Sequence, residues 1–131
     1  MIRLPVIIGL SLALASCANL QITTGKTLAS AQSLAAAAER SAHDAYVRGA
    51  LDKPTIREVS KTADFIDRIS LTARCAYAKG DLSTVAGAIN EIALEAAWIT
   101  ATVQHKPAPI VTGFATYSCD NPSAAIIVSA P

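Results

Sequence analysis

The residues of this 131-residue chain with the widest chemical range are three cysteines, Cys17, Cys75 and Cys119, and two histidines, His43 and His105. A thiolate is a nucleophile, a metal ligand or half of a disulfide, and an imidazole is a general base or a metal ligand near neutral pH. Spacing decides among these uses. Neither histidine stands at a metal-motif distance from a second ligand, and a set of His43, Asp44 and His105 would need two helices to meet in a chance register. The serines fall in no G-x-S-x-G elbow, and the chain has no glycine-rich phosphate loop. No catalytic residue, metal site or cofactor is therefore expected, and the chain reads as a non-enzyme. Cys17 follows the apolar stretch Leu12 to Ala15 and Ser16. It is open to three uses: the end of a discarded signal, a buried core thiol, or a point of attachment to a membrane.

The elements that would position these groups are helical. Hydrophobic residues make up 52% of the chain but aromatics only 5%, and alanine supplies much of the difference. Alanine is the best helix former and contributes little area to burial, so the composition points to close-packed helices. Lysine and arginine exceed aspartate and glutamate by one. Without a basic cluster there is no electrostatic footprint for nucleic acid.

A first helix is expected from Thr27 to Ala50, with Leu28, Ala31, Ala35, Ala38, Ala42 and Ala45 as a narrow stripe of small side chains. Leu34 and Tyr46 can add bulk at its edges, and Gly49 with Asp52-Lys53-Pro54 ends it. A second helix runs from Pro54 or Thr55 to Lys79, with Ile56, Val59, Ala63, Ile66, Ile69, Ala73 and Tyr77 inward. Asp64 and Arg68, four apart on its outer face, suit a helical ion pair. Lys79-Gly80-Asp81 is a compact turn, with Gly80 fit for a left-handed helix end and Asp81 for the next N-cap. The third helix has the cleanest spacing: Leu82, Val85, Ile89, Ile92, Ala96, Ile99 and Val103, with Asn90, Glu91 and Glu95 off that seam. Short connections make the neighbours antiparallel. The expected fold is all-α, a three-helix antiparallel bundle with an extended C-terminal arm. That arm follows Lys106-Pro107-Ala108-Pro109, either laid along the bundle with a short strand near Ala125 to Ser129 or loose.

The N-terminal segment has the order of a secretory signal. Met1 to Arg3 carry one positive charge, and Leu4 to Ala15 form an apolar run. Asn19 and Gln21 interrupt it before the roughly 20 apolar residues that a spanning helix needs. Within it, Leu14-Ala15-Ser16-Cys17 resembles the lipobox of bacterial lipoproteins: an aliphatic residue, two small residues, then cysteine. The resemblance implies a diacylglycerol on the Cys17 thiol, cleavage just before it, and acylation of the new amino terminus. Several chains anchor firmly, because each buried methylene contributes about 0.8 kcal/mol and one chain alone is marginal. Ala18 stands where an aspartate often retains such proteins at the inner membrane, so the resemblance implies the outer membrane, facing the periplasm. Expected boundaries follow: residues 1–16 a signal peptide, 17–26 a lipidated polar tether, 27–104 the bundle and 105–131 the tail.

With Cys17 lipidated, Cys75 and Cys119 remain in a compartment that oxidises thiols. A helical wheel of about 100° per residue puts Cys75 opposite Ile66, on the outer face. A Cys75–Cys119 disulfide would pin the tail across that face, with Leu71, Phe114 and Tyr117 able to fill the contact; the alternatives are two free thiols or an intermolecular bridge. Closing a loop of about 45 residues stabilises by about 4 kcal/mol in the chain-entropy model, less any strain.

The body, from about residue 28 to 100, also resembles small uncharacterised helical proteins of phage and prophage genomes, through Ala73-Arg74-Cys75-Ala76-Tyr77-Ala78-Lys79-Gly80-Asp81. That resemblance implies a context and no mechanism. The expectation is a membrane-anchored lipoprotein serving as an interaction or envelope-structural module with an envelope protein partner. The alternatives are a phage-derived factor, acting in lysis or in exclusion of later infection, and a small-ligand carrier. A carrier needs an apolar cavity, which an alanine-lined bundle is poorly suited to provide.

Overall fold

The computed structural model describes residues 4–110, 114–116 and 126–128, and side chains over residues 24–110. Three helices, α1 (Leu4–Val47), α2 (Lys53–Ala78) and α3 (Leu82–Val103), pack as an all-α three-helix bundle, followed by the short strands β1 (Phe114–Thr116) and β2 (Ile126–Val128). The short connections turn α2 antiparallel to both neighbours, so α1 and α3 point the same way.

The alanine stripe behaves as its spacing predicts. Leu28, Ala31, Ala35, Ala38, Ala42 and Ala45 are all buried, and they face a core built from Val59, Phe65, Ile66, Ile69, Ala73 and Ala76 of α2 and Val85, Ala88, Ile92, Ala96 and Ile99 of α3. Small side chains on α1 let the larger ones opposite them fill the interior. On α2 the buried arc is wider than one stripe and takes in Thr62, Ser70, Thr72 and Cys75 as well. α3 covers one flank of that arc, and β1 also packs against α2.

α1 starts earlier than its sequence signals suggest. The segment expected as a tether, residues 17–26, is part of the helix. No proline falls between Pro5 and Pro54, and a single interior glycine weakens a helix by only about 1 kcal/mol without stopping it. Gly25 has a packing role instead: a Cβ there would sit 2.9 Å from the Tyr77 hydroxyl oxygen. Tyr77 of α2 thus rests on the backbone of α1 about one turn before Leu28. At about 1.5 Å per residue α1 is far longer than its partners, and its N-terminal part extends past the end of α2.

The helix ends use local chemistry. Asp52 accepts from Thr55 N at 2.9 Å and Asp81 from Thr84 N at 3.1 Å, each satisfying a free amide of the first turn. Each helix then closes with a residue at positive φ: Gly49 and Gly80 at 75°, His105 at 53°. In each case the next amide reaches back five residues, as in Ala50 N to Ala45 O at 2.8 Å, Asp81 N to Ala76 O at 2.9 Å and Lys106 N to Ala101 O at 2.9 Å. The charge pattern differs from expectation. The ion pair on α2 is Lys61–Glu58 at 2.8 Å, and among the described residues none joins Asp64 to Arg68.

The described strands of the C-terminal arm pair with each other. β1 and β2 are antiparallel, with Phe114 opposite Val128, Ala115 opposite Ile127 and Thr116 opposite Ile126. A strand near Ala125 to Ser129 is present, but it pairs with a second strand. An isolated two-stranded ladder is marginal in water, and packing against α2 supplies the missing support.

Candidate functional site

Of the three thiols, Cys17 lies on α1 and its side chain is outside the described residues, as is Cys119. Cys75, near the C-terminal end of α2, is disulfide-bonded. It is only 4% exposed. β1 packs against α2. Leu71, expected to fill the same contact, is more than half exposed, and the side chains of Phe114 and Tyr117 lie outside the described residues. His43 and His105 are both exposed, and among the described residues no group of three or more histidine, cysteine or acidic side chains could hold a metal.

The structure buries a pair that the helical pattern alone keeps out of the core. Glu91 and Glu95, one turn apart on α3, are 5% and 1% exposed. Each has a buried Oε1 with no hydrogen-bond partner. Burial pushes both carboxyls up, and the charge of Glu91 raises Glu95 further, to about 7. The expectation that these residues lie off the seam fails because the seam itself is rotated. Ala88 is fully buried while Ile89 is only partly so. α3 is apolar around most of its circumference, so two lines of three-and-four spacing compete. The line Ala88, Ile92, Glu95, Ile99 is as regular as the one through Ile89.

Other polar features lie in the grooves. Between α1 and α2 a cavity of about 130 Å³ is lined by Gln32, Glu39, Ile66, Asp67, Ser70 and Arg74 among others. Partial burial raises the Glu39 carboxyl, and Asp67 and then Asp64 across the groove raise it further. The Gln32 side-chain nitrogen is buried there without an acceptor. At the other end of the bundle, a cleft of about 460 Å³ is lined by Gly49, Leu51, Asp52, Thr55, Thr102 and His105 among others. Among the described residues no helix is long and apolar enough to cross a membrane. No protein-family model, curated protein or solved structure matches the chain.

Proposed function

We propose that this chain is a non-enzymatic lipoprotein of the cell envelope, held at the outer membrane and facing the periplasm through acyl chains on Cys17, with its helical bundle serving as an interaction or structural module. The observation that carries this reading is the tetrapeptide Leu14-Ala15-Ser16-Cys17 behind one positive charge and a short apolar run. A disulfide at Cys75 favours it independently, because such bonds persist in oxidising compartments.

Cys119 is the partner we assign to Cys75. β1 packs against α2 and ends three residues before Cys119. Cys17 is too far away to compete. Gly25, which touches Tyr77, lies eight residues of α1 after Cys17, and eight residues are about 12 Å of helix rise. A disulfide holds its two Cα atoms only about 4.4–6.8 Å apart.

The test is intact-mass measurement of the chain purified from bacterial membranes, alongside Cys17→Ser. The expected mature species begins at Cys17 and carries a diacylglyceryl group plus an N-acyl chain, while Cys17→Ser stays unprocessed or leaves the membrane fraction. An unmodified Cys17, or a serine variant processed and extracted like wild type, overturns the reading. Under non-reducing conditions the same sample is expected to show no alkylatable Cys75 or Cys119.

A further inference from the structure

We propose that Glu91 and Glu95 form a proton-dependent latch: α3 packs fully into the bundle while the pair holds a proton, and loosens when that proton is lost. Residues four apart on a helix have Cβ atoms about 5–6 Å apart, so two ionised carboxylates there repel each other. Here both are at least nine-tenths removed from water. An ionised group so placed is costly unless it is paired, and each of these has an oxygen without a partner.

Among the described residues the surroundings offer no compensating charge. α3 contains no lysine or arginine between Asp81 and Lys106, and the positions three and four residues from the pair are glycine, alanine, leucine, tryptophan, isoleucine or each other. Among its described residues α1 presents only Leu28 and alanines to the core. The buried face of α2 adds Thr62, Phe65, Ile69, Thr72 and Ala76. The charged groups of α2 are engaged elsewhere or face water. Lys61 is bonded to Glu58. Asp67 and Arg74 line the groove with α1, where Asp64 also acts on Glu39. Arg57 and Arg68 are exposed. β1 has no charged residue. Among the described residues Glu91 is the charge that moves Glu95, and it moves it upward.

The sign follows from the direction. Glu95 titrates near 7 in the folded chain against 4.5 in its ordinary state. Its contribution to stability is therefore complete below about pH 4.5 and is lost as pH rises through 7. A shift of that size corresponds to at most about 300-fold in the equilibrium between packed and loosened α3, at about tenfold per pH unit.

The experiment is hydrogen exchange of the full chain, corrected for intrinsic rates, between about pH 4.5 and 8.5, with Glu91→Gln/Glu95→Gln as the comparison. In the wild type, α3 amides are expected to lose protection by about 10- to 100-fold across this range. The double glutamine variant is expected to keep the same α3 protection throughout. Equal pH dependence in the two chains overturns the proposal. Carbon-detected titration of the glutamate carboxyls in wild type gives an independent reading should the variant fail to fold. A carboxyl titrating near 7 supports the latch, and both titrating near the ordinary 4.5 overturn it.

Discussion

His105 ends α3 at a φ of 53°, where the two other helices have glycine. A side chain at positive φ costs roughly 1–2 kcal/mol, and the hydrogen bonds closing this turn come from the backbone and survive the substitution. His105→Gly is therefore expected to stabilise the bundle by about 1 kcal/mol, read as a raised urea midpoint with an unchanged slope. A loss of stability would mean that the imidazole makes a contact worth more than the strain. At this scale the sequence is only partly legible. The cap Asp81, and Gly80 as a left-handed helix end, follow from local chemistry that acts within about four residues. The burial of Glu91 and Glu95 does not. It depends on how α3 is rotated about its own axis, and a helix apolar on nearly every side leaves that rotation to its neighbours.

At the scale of elements, the alanine stripe of α1 states its own packing. Three-and-four spacing predicts which residues face inward, and all six are buried. Close approach is the reason small residues are needed. Ala42 is fully buried, so Ala42→Leu is expected to overpack the seam and destabilise by about 1–3 kcal/mol. The measurement is chemical denaturation, with Ala37→Leu on the same helix as the control; that change should matter little, because Ala37 faces solvent. The pairing of β1 with β2 is less legible than the helices. Only β2 has an evident strand pattern, and its register with Phe114–Thr116 is a non-local choice made on the surface of α2. The helical continuation of α1 through residues 17–26 escapes notice for the opposite reason. Polarity suggests a tether, but polar residues do not interrupt a helix unless a proline or a cap competes.

Across the whole molecule, two kinds of carboxyl set opposite limits on stability. The hydrogen bonds that Thr55 gives Asp52, and Thr84 gives Asp81, hold those caps below the ordinary 3.8. Their contribution is present above that value and is lost as pH falls through the lowered ones. Glu95 acts in reverse, losing its contribution as pH rises through about 7. Thermal melts across the pH range are expected to trace a dome whose highest point lies between about pH 4 and 6. A melting temperature still rising above about pH 6 would contradict this balance.

The contact between Tyr77 and Gly25 also gives the bundle a direction. It marks the end where α1 continues beyond α2, and the turn at Lys79 to Asp81 is at that same end. The loop from Arg48 to Asp52 and the close of α3 at His105 occupy the opposite one. Attachment through the N-terminal segment would make these a near pole and a far pole. A molecule arriving from the aqueous side would meet the far pole first, where Leu51, Asp52, Thr102 and His105 line an open cleft.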